Sequence, residues 1–235
     1  MKAEVLFPEV GNLSGDLMNI RYLKQCCNAL EIVETDLKSR PAFLDEEVAL
    51  VYMGTATETG LALAAEALRP YLDEIRAKID AGQLMLLTGN AQEVFGSYID
   101  SDQAERMEGL GILPLHAEYH MMQRHNSFFV GKFEDMDIVG FKSLFGHSHG
   151  MGDALFDTVK GVGRDGTPQS GEGFRRGGLM ATYLIGPLLI LNPPLCKWLL
   201  RQMGADDTLA FEEAAMDSYR KRLSEFMEPG RSWKY

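Results

Sequence analysis

The chain has 235 residues, 46% of them AVILMFWYC and 24% charged, which is the composition of a globular protein with a sizeable core. It carries 34 acidic against 23 basic residues, a net charge of −11. That balance excludes a dominant phosphate-backbone partner, because nucleic-acid binding draws on Lys and Arg contacts.

In chain order, residues 3–8 (AEVLFP) read as a short strand and Gly11 to Asp16 as a loop. A helix is expected from about Leu17 to Leu30, capped by Asp16 or Ser14, since Leu17, Ile20, Leu23, Cys27 and Leu30 recur at helical spacing. Residues 31–37 and 48–54 read as two further strands, the second apolar almost throughout, as in a strand covered on both faces. Residues 60–82 form a strong helical pattern, with Pro70 as a kink or junction and Gly82 as the stop. The apolar run Leu84–Thr88 is a fourth strand, and AQEVFGSYI begins the next helix. This alternation predicts a parallel sheet with helices on both faces.

Beyond about residue 110, GILPLHAEY, SFFVGKF and DIVGFKS predict a mainly antiparallel extension. Residues 146–153 (GHSHGMGD) and 161–178 read as glycine-rich loops. LMATYLIGP reads as a late core strand, and helices over 192–204 and about 207–227 close the chain. One domain spanning 1–235 is expected.

No apolar stretch reaches the roughly 20 residues that span a bilayer. Residues 179–200 come closest, and Gly186, Pro187, Pro193 and Pro194 interrupt them. Met1-Lys2-Ala3-Glu4 leads straight into a strand-like run, so a cytoplasmic protein without leader or membrane insertion is expected. Cys26, Cys27 and Cys196 form no metal or disulfide framework. No Walker or dinucleotide glycine fingerprint occurs, and no cofactor is expected.

The turn Thr88-Gly89-Asn90 joins a strand to a helix, the geometry in which open α/β sheets place ligands and nucleophiles. Neither Cys nor Ser stands in it. The local pattern alone is also that of a plain tight turn.

Several stretches, in order, resemble the class I glutamine amidotransferase domains of the cobyric acid synthase type. These are LFPEVGNLSGDLMNIRYLKQ (6–25), VYMGTATETGLALAAEAL (51–68), LMLLTGNAQEVFG (84–96), GLGILPL (109–115), IVGFKSLFGHSHG (138–150) and EGFRRGGLMATYLIGPLLILNPPLCKWLL (172–200). Within that family the likeness is to the GatD branch, the amidotransferase subunits of lipid II isoglutaminyl synthase. The resemblance implies a three-layer, flavodoxin-like α/β fold. It also implies an ammonia-releasing glutaminase role beside a Mur-ligase-like synthetase partner.

Two departures bear on chemistry. The family turn reads roughly Cys-Gly-Gly-Tyr-Gln-Leu-Leu-Gly, and alignment on Gly96 puts Gly89 at the cysteine, with Asn90 and Ala91 at the glycines. The family histidine in Tyr-Leu-His-Gly-Pro falls on Ile185. Glutaminase chemistry needs a thiolate to attack the amide and an imidazole to activate it and protonate the departing ammonia. Glycine and isoleucine do neither, so no covalent glutaminase activity is expected.

The pocket and oxyanion candidates are Gly54, Gly89, Asn90, Ala91 and Gln92, with Arg124 matching a basic residue near the glutamine carboxylate, and His147 and His149 at the pocket's edge. Such a pocket suits a glutamine-like or glutamate-like ligand bound without hydrolysis. His147 and His149 with Asp153 are alternatively a weak metal set or part of a different enzyme in the same cleft. His116 and His120 share a face on either periodicity, without a metalloprotease order.

Overall fold

The computed structural model describes residues 1–234. Its main sheet has six strands: β1 (Lys2–Leu6), β2 (Glu31–Thr35), β3 (Leu50–Met53), β4 (Met85–Thr88), β12 (Phe174–Arg176) and β13 (Leu179–Thr182). Their order is β12-β13-β4-β3-β1-β2, all parallel except the edge strand β12. Strand periodicity sorts the side chains into two cores. Val51, Met53, Met85 and Leu87 face one layer of helices, while Leu50, Tyr52 and Leu86 face the other.

The first layer is α2 (Glu58–Leu68), α3 (Leu72–Asp80) and α4 (Ala91–Phe95), and the second is α1 (Met18–Cys26), α5 (Leu188–Leu191) and α6 (Pro193–Gln202). This is the expected three-layer α/β fold. Both faces are covered, which is why the central strands read as unbroken apolar runs.

The antiparallel extension contains a three-stranded sheet, β11 (Asp157–Lys160), β8 (His125–Phe133) and β9 (Met136–Leu144). Helix α7 (Glu212–Met227) packs Tyr219 and Phe226 onto it. A four-stranded sheet has the order β10 (Gly146–Gly150), β7 (Leu115–Tyr119), β5 (Tyr98–Ser101) and β6 (Met107–Glu108), with β5 and β7 parallel.

Several boundaries differ from the sequence reading. Helix α1 ends at Cys26, and neither Ser14 nor Asp16 caps it, because Asp16 is buried and turned toward the sheet. Pro70 lies in a 3₁₀ turn, Arg69–Tyr71, that separates α2 from α3. The helix after Gly89 stops at Phe95. Gly96 is extended there, a Cβ on it would meet Leu115 Cδ1 at 2.4 Å, and the chain turns into β5. GHSHG is a strand rather than a loop, paired with β7 with His149 opposite His116. The loop over 161–178 contains β12, and the last helix starts at Glu212 rather than near 207. Among the described residues no helix is long and apolar enough to cross a membrane.

Candidate functional site

A cavity of about 330 Å³ opens at the carboxyl ends of β3, β4 and β13, lined by Thr55, Gly89 and Tyr183 from the turns that follow them. Open parallel sheets bind ligands at this end of their strands. Gly89 has φ +62°, the left-handed region that a side chain enters only at a cost. The sharp strand-to-helix turn is therefore present. Ile185 reaches the same cavity after β13, fixed by its N–H donating to Phe141 O at 3.0 Å and followed by Gly186 at φ +71°. Gly89 and Ile185 thus line one pocket.

No cysteine or histidine of the described residues lines this cavity. What stands around Gly89 is a hydroxyl–carboxylate cluster. Thr55 Oγ1 donates to Asp16 Oδ1 at 3.1 Å, Thr88 Oγ1 donates to the same oxygen at 3.0 Å, and Ser14 N donates to Asp16 Oδ2 at 3.0 Å. Burial raises the Asp16 pKa above the ordinary carboxylate value, and these three donors oppose the rise. Asn90 is clamped to the turn after β3. Its Oδ1 accepts from Ala56 N at 3.0 Å, and its Nδ2 donates to Ala56 O at 2.9 Å.

Beneath the cavity, one turn after Gly89, Glu93 is wholly buried in α4. Tyr119 Oη donates to its Oε2 at 2.5 Å and Tyr183 Oη to its Oε1 at 2.6 Å, and both tyrosines line the cavity. Burial pushes the Glu93 carboxyl up to about 7, and the two phenols pull the other way. Tyr183 is held from its other side by Ser148 Oγ, 2.5 Å from Oη, and by Glu172 Oε1, which accepts Tyr183 N at 2.7 Å. Glu172 is ion-paired with Lys142, and both side chains are fully buried.

At the mouth stand two charges. Glu58 begins α2, and Arg124 lies with its guanidinium 4.5 Å from the Phe145 ring centroid. Among the described residues neither has an ion-pair partner, which leaves one anion and one cation facing the same opening.

No family model matches the chain. Its sequence is 26% identical over 215 residues to the Lipid II isoglutaminyl synthase (glutamine-hydrolyzing) subunit GatD of Staphylococcus aureus (strain N315), covering 88% of this chain and 86% of that one. A solved glutamine amidotransferase superimposes with a TM-score of 0.57 at 15% identity, covering 86% of this chain and 99% of the other, and shares the fold. The chain is similar in sequence to GatD and has the fold of a glutamine amidotransferase.

In this GatD-like domain Gly89, Asn90, Arg124 and Ile185 come together at the cavity, and the other sequence candidates lie elsewhere. Gly54 packs behind Thr55, where a Cβ would meet Asp16 Cβ and Gly11 O at 2.5 Å, so the pocket is lined by Thr55 and Ala56 instead. Ala91 and Gln92 are buried in α4 and do not line it, and the Gln92 carboxamide has no hydrogen-bond partner.

His147 and His149 sit on β10, outside the lining, because that strand belongs to the β7 sheet. His147 packs against His125 with ring centroids 5.2 Å apart, and burial pushes its pKa down to about 4. His149 lies 5.7 Å from the His116 ring. Asp153 lines a separate cavity with Arg175. Among the described residues no group of three His, Cys, Asp or Glu side chains could hold a metal.

Thr55, Asp16 and Glu93 were missed as site residues. The sequence offers Asp16, beside Ser14, only as a helix-cap candidate. Glu93 carries a visible signal, a charge four residues after Gly89 in an otherwise uncharged turn. Thr55 carried none, since its role depends on a glycine 34 positions away.

Proposed function

We propose that this GatD-like chain binds a glutamine-like amino acid in the cavity without hydrolysing it, with residues 1–235 working as one unit. The observation that carries this is the meeting of Gly89 and Ile185 in one cavity that holds neither thiol nor imidazole. Amide hydrolysis by the covalent route needs a nucleophile, and a base within reach of it. The polar features that remain are those of recognition. Arg124 offers a planar cation to a carboxylate, and Glu58 offers an anion to an ammonium group. A free amino acid carries both groups on one carbon.

The S. aureus relative is named as a subunit of a glutamine-hydrolysing lipid II isoglutaminyl synthase. By that likeness, this chain pairs with a Mur-ligase-like synthetase in the cytoplasm and acts there as a binding or regulatory subunit of peptidoglycan amidation. A separate enzyme built on His147 and His149 has less support, because those rings face β7 and β8 rather than the cavity.

Isothermal titration of the purified chain with glutamine tests the reading. Binding is expected, and Arg124→Ala should weaken it at least about tenfold, the loss of one charge-assisted contact. Equal affinity for the two proteins would remove the cavity as the amino-acid site.

A further inference from the structure

Two features of the turn facing Gly89 bear on what positions 89 and 185 can do. Cβ built on Gly89 would stand 2.1 Å from Thr55 Oγ1, 3.0 Å from Thr55 Cβ and 3.1 Å from Thr55 Cγ2. A threonine side chain is short and stiff about χ1. Its hydroxyl is also tied to Asp16, whose carboxylate is held in turn by Thr88 and the Ser14 amide. It has no long arm to swing aside. A side chain at 89 and the present threonine at 55 therefore compete for the same space.

The second feature concerns donors. Acyl transfer from an amide places negative charge on the carbonyl oxygen, and backbone N–H groups at the pocket wall are the usual means of stabilising it. The Ala56 N–H lies in the turn that lines the cavity, and it is already engaged by Asn90 Oδ1, while Asn90 Nδ2 holds the carbonyl of the same residue. The carboxamide of the protein itself thus sits on that donor.

We infer that Thr55 fills the seat of a nucleophile at position 89 and that Asn90 occupies the facing backbone donor, so the pocket is rebuilt for binding and not merely missing two groups. This rests on the non-hydrolytic reading above. One consequence is specific: returning cysteine and histidine to positions 89 and 185 does not by itself return hydrolysis. Thr55 and Asn90 must also be cleared, because the thiol needs the space and the oxyanion needs the N–H.

Two measurements on the full chain test this. The first is thermal denaturation of Gly89→Ala, Thr55→Gly and the double variant. Gly89→Ala should lower the melting temperature, and Thr55→Gly in the same chain should restore part of the loss, so the two effects are not additive. Strict additivity would overturn the steric assignment.

The second is glutamate release from glutamine by the pair Gly89→Cys/Ile185→His, compared with the pair plus Thr55→Gly and Asn90→Gly, each checked for folding by circular dichroism. The pair should remain at the background of the unmodified chain, and the quadruple variant should exceed it at least about tenfold. A quadruple variant no more active than the pair overturns the assignment. Glutamate release by the unmodified chain would instead sink the non-hydrolytic reading, while the melting result would still report on Thr55 and Gly89. If Thr55→Ala abolished that release, Thr55 would be a nucleophile and its assignment as a filler would fall.

Discussion

Glu93 should make the stability of this protein depend on pH in a defined window. The side chain is fully buried, receives hydrogen bonds from Tyr119 and Tyr183, and has its pKa raised from 4.5 to about 7, chiefly by burial. A folded state that holds its proton more tightly than the unfolded chain is stabilised in full below pH 4.5. It loses that stability as pH rises to about 7, and changes no further above. The difference between those two pKa values corresponds to about 3 kcal/mol.

Glu93→Gln removes the titration and keeps the shape, with the amide oxygen accepting from one tyrosine and the amide nitrogen donating to the other. Other titrating groups, including His147 and His125, are common to both proteins and cancel in the comparison. Between pH 5 and pH 8 the melting temperature of the variant should gain on the parent by roughly 5–10 °C, the equivalent of that free energy for a chain of this size. Melting curves recorded at half-unit steps would show it. Parallel profiles for the two proteins across this window would refute the buried-carboxylate account of Glu93.

Lys142→Met should destabilise the fold by about 3–5 kcal/mol in chemical denaturation, because it leaves Glu172 charged and unpaired in the core. Adding Glu172→Gln should regain roughly 1–2 kcal/mol of that by removing the charge while keeping an acceptor for Tyr183 N. Asn192→Ala should cost about 2–4 kcal/mol, since its buried carboxamide serves Val139 N, Val139 O and Leu188 O at 2.8–2.9 Å. A loss under about 1 kcal/mol would mean that those groups find other partners.

The centre of the main sheet was legible because β3, β4 and β13 are buried on both faces and so appear as continuous apolar runs. Four candidate residues meet at the cavity: Gly89, Asn90 and Ile185 fall in turns at the carboxyl edge of that sheet, and Arg124 joins them from the loop between β7 and β8. The small strands were harder to read. β10 is Gly-His-Ser-His-Gly, with no apolar residue to mark it, and Gly146 is required where a Cβ would meet Tyr119 Cδ1 at 2.3 Å. The cluster around Gly89 was illegible for a different reason. Asp16, Thr55 and Thr88 lie far apart in the chain and acquire meaning only as one hydrogen-bonded cluster. Nothing at Thr55 itself announces that it faces an empty Cβ position on Gly89.

The account rests most directly on the absence of hydrolysis at an occupied pocket. Purified chain should be incubated with saturating glutamine and its glutamate release followed to many protein equivalents, alongside calorimetric binding of glutamine to the same sample. Measurable binding with glutamate no higher than in a protein-free control is the expected result. Glutamate produced in multiple turnovers, and abolished by filling the turn with Gly89→Val, would contradict it.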